Sequence, residues 1–403
     1  MNDFIPKLLQ QEVQRFIFDH KNDDERELVL RNKTIAGVPA PWLADQIVGR
    51  RKAEQKLPSW AHATDIRYPG RLALEQCSSE ATAVFKSSIL RKLCNGNGPF
   101  NGVDLSSGFG VDAHFISQWA LLTRVEPDAD LLLINNHNQT QLGGIPSHYL
   151  NLDAKTFLHQ SKDFFDFAFI DPSRRKTGQK VHRLEDCLPD VLHLLPLILE
   201  KSSFLLLKAS PMLDIERACQ QLQKVVQVWI VGVGNECKEL LFHVHPNAGG
   251  EALRTAVELS QDGNPVWEVS FFPSEEQSTK VLWAEPQGYI YDPPAALLKA
   301  GAFKWIASHW GLSKLAPDSH LYTSDSLLQT FPGRIFRILN HHKLDKKLSS
   351  LFEAGFANVI SRNYPLNVDQ ILNQTGLKEG GKDYLICTRG IKKKFVMKAA
   401  RIP

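Results

Sequence analysis

Between about residues 96 and 250, short apolar runs alternate with segments of helical periodicity. The runs include "NGVDL", "FDFAFID" and "SFLLLKASP", and helical stretches such as "LPDVLHLLPLILEK" lie between them. Strands alternating with helices predict a mostly parallel sheet with helices on both faces, because parallel strands need crossover connections. Two further β-rich runs, "VQVWIVGVG" and "CKELLFHVH", predict a hairpin added at the end of this sheet.

The rest of the chain has a different pattern. Residues 1–95 read mostly as helix, and "SSEATAVFKSSILRKL" begins with serines suited to a helix N-cap. Residues 251–330 and 331–403 each mix short strands with helices, which predicts two small α+β modules. At 403 residues the chain is longer than one compact core usually is. We therefore expect four regions, with residues 96–250 forming the central α/β sheet.

Composition places the protein in a broad class. Hydrophobic residues make up 43% and charged residues 23%, as in ordinary globular proteins. No run reaches about 18 apolar residues, and the N-terminus lacks the pattern of a signal peptide. The six cysteines are irregularly spaced and form no C-x-x-C pair. We expect free thiols in a reducing cytoplasm, with no membrane span and no metal site.

The stretch "VDLSSGFGVDAHF" joins the first predicted strand of the sheet to a helix. Asp104 ends the strand, and Gly108 and Gly110 follow with G-x-G spacing. Glycines in such a turn let the backbone approach a ligand closely, because they have no Cβ. Taken alone, the two glycines are a weak signal and fit a tight strand-to-helix turn better than a ligand-binding loop.

Three further acids end the next predicted strands. Glu126 can accept both hydroxyls of a ribose, Asp153 can accept an exocyclic amine of adenine, and Asp171 precedes Pro172 in a fixed turn. Open α/β sheets bind ligands at these carboxyl ends. Asp104 would repel the phosphates of a dinucleotide but suits a cationic ligand, which favours S-adenosylmethionine as the cofactor.

These residues resemble the class I Rossmann-fold methyltransferases in the order D-L-S-S-G-F-G, the acids and the I-D-P turn. More narrowly, the chain resembles a bacterial methyltransferase-like family with a C-terminal THUMP-like domain. The matching pieces, which span nearly the whole chain, are "EQCSSEATAVFK", "FIDPSRR", "GYIYDPPAALLKAGAF", "NVISRNYP" and "GGKDYLICT".

The resemblance implies a Rossmann-like α/β sheet with a helical N-terminal region, followed by ferredoxin-like and THUMP-like modules. It implies an S-adenosylmethionine-dependent methyltransferase that modifies an RNA base, in tRNA or rRNA. Asp171 and Pro172 would line the transfer point. The expected cofactor-binding residues are Gln76, Ser79, Asp104, Ser106, Gly108, Gly110, Glu126 and Asp153.

The turn after the fourth strand restricts the chemistry. It reads Asp171-Pro172-Ser173-Arg174 and lacks the aromatic residue with which amino-group methyltransferases stack an extruded base. Ala209 stands where a cysteine nucleophile would be needed for methylation of uridine carbon-5, which excludes that reaction. Arg174 and Arg175 are expected either to contact RNA or to pair with nearby acids.

The C-terminal module is basic. From Phe331 to Pro403 there are 14 Lys and Arg against 5 Asp and Glu, which indicates a polyanionic partner or a solvated basic surface. Lys392, Lys393 and Lys394 form its densest run and are candidate RNA contacts, or else protect an edge strand. Two other functions stay open: a non-catalytic RNA-binding protein, and a methyltransferase of a protein or small molecule.

Overall fold

The N-terminal region is built from short helices around a small two-stranded hairpin. In the computed structural model, which describes residues 5–8, 10–174 and 183–403, Ser79 accepts a hydrogen bond from the Thr82 backbone N–H (3.3 Å) and caps the last of these helices. The elements are α1 (Ile5–Leu8), α2 (Gln11–Asp19), α3 (Glu25–Arg31), β1 (Thr34–Ile35), β2 (Val38–Pro39), α4 (Ala40–Lys56), α5 (Pro58–His62), α6 (Arg71–Gln76) and α7 (Glu80–Cys94).

The central region alternates strands and helices as expected, and its sheet also takes in two strands from residues 253–271, which were expected in the following module. Its elements are β3 (Phe100–Asp104), α8 (Val111–Ile116), β4 (Ala120–Val125), α9 (Ala129–Leu142), β5 (His148–Leu150), α10 (Ala154–Gln160), β6 (Phe167–Ile170), β7 (Ser173–Arg174), a 3₁₀ turn (Leu184–Asp186), β8 (Cys187–Leu188), α11 (Val191–Lys201), β9 (Leu205–Ala209), α12 (Ile215–Leu222), β10 (Val225–Val233), β11 (Glu236–Val244), β12 (Leu253–Leu259) and β13 (Pro265–Phe271).

Nine of these strands form one sheet in the order β13-β12-β10-β11-β9-β6-β3-β4-β5, and β7 and β8 pair separately. Strands β9, β6, β3, β4 and β5 are parallel, and β11 pairs antiparallel with β9. Every residue of β6 is buried, as expected for a strand covered on both faces. The predicted α/β sheet with an added hairpin is confirmed.

The order of the strands reverses at β3. The chain runs from β3 outward to β4 and β5, then returns to β6 and β9 on the other side. In open α/β sheets a ligand-binding crevice forms where the order reverses, at the carboxyl ends of the strands. Asp104 ends β3, and Asp171 directly follows β6. The topology therefore places both carboxylates at this crevice.

Contacts divide the chain into two compact units, the second consisting of residues 235–237, 253–257 and 267–403. Its seven-stranded sheet has the order β15-β16-β14-β17-β20-β19-β18. Its elements beyond β13 are α13 (Pro273–Ser278), β14 (Tyr289–Asp292), α14 (Ala295–Ala300), α15 (Trp305–His309), β15 (Ser313–Lys314), β16 (Tyr322–Ser324), β17 (Arg334–His341), 3₁₀ turns at Lys346–Leu351 and Glu353–Gly355, β18 (Phe356–Arg362), α16 (Val368–Thr375), β19 (Lys378–Arg389) and β20 (Lys394–Ile402).

A buried acid in the second unit has a structural role. Asp292, in the sequence "IYDPP", is buried and accepts hydrogen bonds from Arg334 and Arg362, so this acid links β14 to β17 and β18. No helix in the described part of the chain has both the length and the apolar character needed to cross a bilayer.

Candidate functional site

A cavity of about 1220 Å³ opens in the first unit at the carboxyl ends of the parallel strands. It is larger than the ~300–1,000 Å³ typical of small-molecule sites, which leaves room for a second molecule beside a cofactor. The predicted residues that line it are Gln76, Asp104, Ser106, Gly108, Gly110, Glu126, Asp153, Asp171 and Pro172.

The glycine loop requires its glycines for different reasons. Gly108 and Gly110 both have positive φ, +51° and +89°, a region that favours glycine. A Cβ on Gly110 would lie 2.4 Å from the Asn135 side chain, so the close packing there excludes any larger residue. Around Gly108 there is space, and its backbone N–H donates to Glu126 Oε2 over 2.7 Å.

Glu126 therefore anchors the loop as well as facing the cavity. Its other carboxylate oxygen, Oε1, accepts the backbone N–H of Asp128 over 3.0 Å. Burial raises the pKa of Glu126, and the two backbone hydrogen bonds oppose that rise. A carboxylate offers about four acceptor positions. Glu126 can thus hold the loop and still accept ribose hydroxyls, a combination that sequence reasoning did not foresee.

Asp104 is 1% exposed and accepts the Ser106 backbone N–H over 3.0 Å. Burial raises the pKa of Asp104 to about 8, and the nearby Asp112 carboxylate adds to the shift. A cation bound beside Asp104 would favour its ionised form and lower this pKa again. The residue is therefore poised to ionise when a positively charged group enters.

Asp153 lies at the N-terminus of α10. Its carboxylate accepts the backbone N–H of Thr156 (2.9 Å) and the hydroxyl of the same residue (2.7 Å). These hydrogen bonds lower the pKa of Asp153. The side chain is exposed where it lines the cavity, so an ionised acceptor faces whatever binds there.

Asp171 lies across the crevice, and its backbone N–H donates to the Ser106 hydroxyl over 2.7 Å. Its carboxylate forms an ion pair with Lys208, the penultimate residue of β9, which also lines the cavity. Burial lowers the pKa of Lys208, but the carboxylates of Asp171, Glu239 and Asp112 outweigh burial and raise it overall. Lys208 is therefore a charged ammonium donor beside Asp171.

Behind these two residues lies a buried polar cluster, which consists of Ser78, Lys86, Asp112 and Glu239. Lys86 Nζ is 2.8 Å from both oxygens of Glu239, 3.1 Å from Ser78 Oγ and 3.2 Å from Asp112 Oδ1. Lys86 is fully buried, and Glu239 is 3% exposed. Sequence reasoning missed Lys208 and Glu239. Lys208 offered a signal, because it is the charged residue of the apolar strand "LLLKA", whereas Glu239 stands among other charged residues in "ECKE".

The N-terminal helices fix the glycine loop from the other side. Phe109, between the two glycines, is 3% exposed and packs against Trp60 with ring centroids 4.9 Å apart. Arg124 of β4 is fully buried and donates to Gln139 (2.7 Å), to the Ala113 carbonyl (3.2 Å) and to Asn135. The glycine loop is therefore packed against the N-terminal helices through Phe109, and Arg124 links β4 to α8 and α9 behind it.

The remaining predicted residues either lie elsewhere in the structure or fall outside the described part of the chain. Ser79 caps α7 instead, and the neighbouring Ser78 lines the cavity. The Arg174 side chain and all of Arg175 lie outside the described residues. Lys392, Lys393 and Lys394 are exposed in the second unit, where the chain enters β20. The roles predicted for these residues stay predictions.

The described residues contain no candidate metal site and no disulfide bond. Within residues 5–8, 10–174 and 183–403, no group of three His, Cys, Asp or Glu side chains is placed to hold a metal ion. All six cysteines lie in this part of the chain and are free thiols.

Comparison with known proteins identifies the C-terminal domains. A ferredoxin-like domain family matches residues 289–332, and a THUMP domain-like family matches residues 333–400. No curated protein matches the chain.

Among solved structures, the chain is similar to one described as a "putative methyltransferase from Porphyromonas gingivalis W83". The two share 29% identity with a TM-score of 0.84, over 96% of this chain and 97% of that one. An S-adenosylmethionine-dependent methyltransferase of Agrobacterium tumefaciens shows 17% identity and a TM-score of 0.30, over 48% and 60% of the two chains. The protein SMU.776, described as "a putative methyltransferase complexed with SAH", shows 11% identity and a TM-score of 0.32, over 40% and 49% of the two chains. Likenesses at these last two scores carry no weight for this chain.

The fold is therefore that of a Rossmann-type, class I methyltransferase. Ferredoxin-like and THUMP-like domains follow it at the C-terminus. This confirms the family resemblance and the fold class expected from the sequence.

Proposed function

We propose that the protein is an S-adenosylmethionine-dependent methyltransferase that acts on RNA. The observation that carries the proposal is the set of carboxylates around the glycine loop. Asp104, Glu126 and Asp153 end or follow three adjacent parallel strands and line one cavity. Such a row offers acceptors in turn for an amino-acid ammonium, ribose hydroxyls and an adenine amine.

When bound, S-adenosylmethionine supplies a methyl group on a positively charged sulfur. The chain's own residues bind the cofactor and align the methyl acceptor with it. A cation bound beside Asp104 would favour the ionised form of this carboxyl, which could then accept hydrogen bonds from an ammonium group. Asp171 and Lys208 lie on the far wall, where an acceptor can be held in line with the methyl group. Alignment of this kind supplies most of the acceleration when no covalent intermediate is needed.

Two features support RNA as the substrate. The THUMP-like match covers residues 333–400, and THUMP-type domains of RNA-modifying enzymes bind RNA. The same segment is basic, with 13 Lys and Arg against 5 Asp and Glu, whereas the rest of the chain carries a small net negative charge. A basic surface binds the phosphate backbone regardless of base sequence.

Cofactor binding is tested first by titration calorimetry of the full chain with S-adenosylmethionine. Asp153→Asn is the informative variant, because asparagine caps helices as well as aspartate does but turns an N–H₂ group toward the adenine amine. We expect Asp153→Asn to weaken binding about tenfold, the equivalent of about 1.4 kcal/mol. Asp163→Asn, at an exposed position outside the cavity, is the matched control. No detectable binding of S-adenosylmethionine at millimolar concentration would overturn the proposal.

Activity is tested with tritiated S-adenosylmethionine and size-fractionated RNA from cells that lack the protein. We expect label in one RNA fraction, and none with Asp171→Ala. Cofactor binding with no label in any RNA would favour a non-catalytic RNA-binding protein. Label in protein alone would favour a protein methyltransferase.

A further inference from the structure

The wall of the cavity opposite the glycine loop presents a hydrogen-bond donor beside an acceptor. Lys208 and Asp171 form an ion pair, yet their side chains keep 13% and 28% of their surface exposed. Both line the cavity. An ammonium has three N–H donors and a carboxylate about four acceptor positions, so the ion pair leaves donors on one residue and acceptors on the other for a bound molecule.

A hydroxyl group is the acceptor that matches such a pair. Its oxygen has one O–H donor and two lone pairs, so it can donate to Asp171, accept from Lys208 and still attack with the second lone pair. An exocyclic base amine has two donors and a delocalised lone pair, so the Lys208 ammonium would face another donor. A ring nitrogen is only an acceptor, and it would face the Asp171 carboxylate without a proton to share.

A carbon atom of a base matches the Lys208–Asp171 pair less well than either nitrogen acceptor does. A carbon acceptor needs a thiolate that adds to the ring before methyl transfer. Cys77 lines the cavity, but burial raises the pKa of its thiol, which keeps it protonated. Cys187, the other cysteine in the lining, donates its thiol to the Arg183 carbonyl over 3.7 Å. Neither cysteine is set up as a nucleophile.

We propose that the methyl acceptor is the 2′-hydroxyl of an RNA ribose, held between Lys208 and Asp171. This inference rests on the proposed function and deepens it, and it differs from the base acceptor expected from the sequence. RNA carries this hydroxyl on every nucleotide and DNA lacks it. The size of the cavity leaves space for the ribose beside the cofactor.

The transfer balances without any further reagent. The ribose oxygen forms a bond to the methyl carbon while the carbon–sulfur bond breaks and its electron pair goes to sulfur. The hydroxyl proton passes to the Asp171 carboxylate and from there to water. A weak base suffices for this step, because the oxygen becomes strongly acidic as its bond to carbon forms. Lys208 directs Asp171 and donates to the same oxygen.

The buried polar cluster positions this pair. Glu239 interacts electrostatically with both Lys86 and Lys208, and Asp112 interacts with Lys208 as well. Lys86 does not line the cavity, so it acts through Glu239 and Asp112 rather than on the acceptor. Four elements, α7, β6, β9 and β11, thus bring Lys86, Asp171, Lys208 and Glu239 together.

The chemical identity of the methylated product tests whether the acceptor is the 2′-hydroxyl. RNA labelled by the full chain with tritiated S-adenosylmethionine is hydrolysed in alkali, and a second sample is digested to nucleosides. We expect label in alkali-resistant dinucleotides and in 2′-O-methylnucleosides, and no label in DNA of the same sequence. Label in a methylated base overturns this inference while the proposed function stands. No label in any RNA overturns the proposed function, and this acceptor with it.

Variants test the pair itself. We expect Lys208→Met and Asp171→Asn each to lower the transfer rate at least about 100-fold, the usual contribution of a positioned proton-transfer group. The affinity for S-adenosylmethionine, measured by calorimetry, should change less than about threefold. Lys208→Arg keeps the charge and should retain more activity than Lys208→Met. Lys92→Met, at an exposed position on α7 outside the cavity, is the matched control. Full activity of Lys208→Met would overturn the inference.

Discussion

The ammonium group of Lys86 lies 2.8 Å from each carboxylate oxygen of Glu239, although 153 residues separate the two along the chain. Lys86 belongs to the last N-terminal helix and Glu239 to a strand of the central sheet. Their pair therefore ties the helical region to the sheet directly behind the candidate transfer point.

Removal of one partner of this pair should destabilise the protein strongly. Lys86→Met leaves the carboxylates of Glu239 and Asp112 buried without their cation, and breaking buried pairs typically costs about 3–5 kcal/mol. The free energy of unfolding in urea measures the loss. Lys92→Met, an exposed change on the same helix, should alter it by less than about 0.5 kcal/mol. A loss below about 1 kcal/mol for Lys86→Met would contradict a buried ion pair.

Asp104→Asn should raise stability and lower cofactor affinity. Burial raises the pKa of Asp104 to about 8, far above its value in the unfolded chain, about 4. The folded form therefore holds this proton more tightly, so the contribution of Asp104 to stability is full below about pH 4 and is lost as the pH rises through 8. Asparagine stays neutral and still accepts the Ser106 N–H.

The melting temperature of the unliganded protein, measured from pH 5 to pH 9, checks this prediction. Asp104→Asn should melt higher than the natural protein at pH 9, with the difference shrinking toward pH 5. Binding of S-adenosylmethionine, a cation, should weaken at least about tenfold, the equivalent of about 1.4 kcal/mol. Asp163→Asn, at an exposed position, should change neither quantity. Equal melting curves for Asp104→Asn and the natural protein would show that Asp104 is already ionised when folded.

Phe109→Ala should loosen the glycine loop. The ring is buried against Trp60, and truncation of a buried Phe costs about 3–5 kcal/mol. Because Phe109 lies between Gly108 and Gly110, we also expect the variant to bind the cofactor more weakly. Calorimetry measures this affinity at a temperature below the midpoint of the variant's unfolding. Phe109→Leu, which keeps most of the apolar volume, should lose less on both measures. Unchanged affinity in a folded Phe109→Ala variant would show that the packing does not shape the loop.

Replacing Lys392, Lys393 and Lys394 with alanine should weaken RNA binding and reduce its dependence on salt. These lysines are exposed. Lys393 pairs with Glu285, but both side chains of that ion pair are exposed, so it contributes little. Each lost phosphate contact lowers the slope of log K against log salt concentration by about 0.7–0.9. We expect the slope to fall by about 2–3 in fluorescence-anisotropy titrations.

A triple alanine variant at Lys33, Lys92 and Lys162 removes the same charge from exposed positions in the first unit. It should change the slope by less than the first variant does. Equal slopes for the two variants would mean that net charge, rather than the β20 lysines, governs binding.

The sequence by itself determined the parts that depend on local patterns. The alternation of apolar runs and helical periodicity predicted the parallel sheet, and the last two β-rich runs predicted the antiparallel addition. The acids after successive strands could be placed at one edge because parallel strands all end on the same side. Gly110 was recognisable as a turn residue from its spacing alone.

Only the tertiary structure decided which charges meet. Lys86, Asp171, Lys208 and Glu239 lie on elements far apart in the chain, and strand order and burial bring them together. The same holds for Phe109, whose partner Trp60 comes from the helical region, and for Glu126, which turned out to hold the loop. Periodicity and turn chemistry act over a few residues, whereas an ion pair depends on packing across the whole fold.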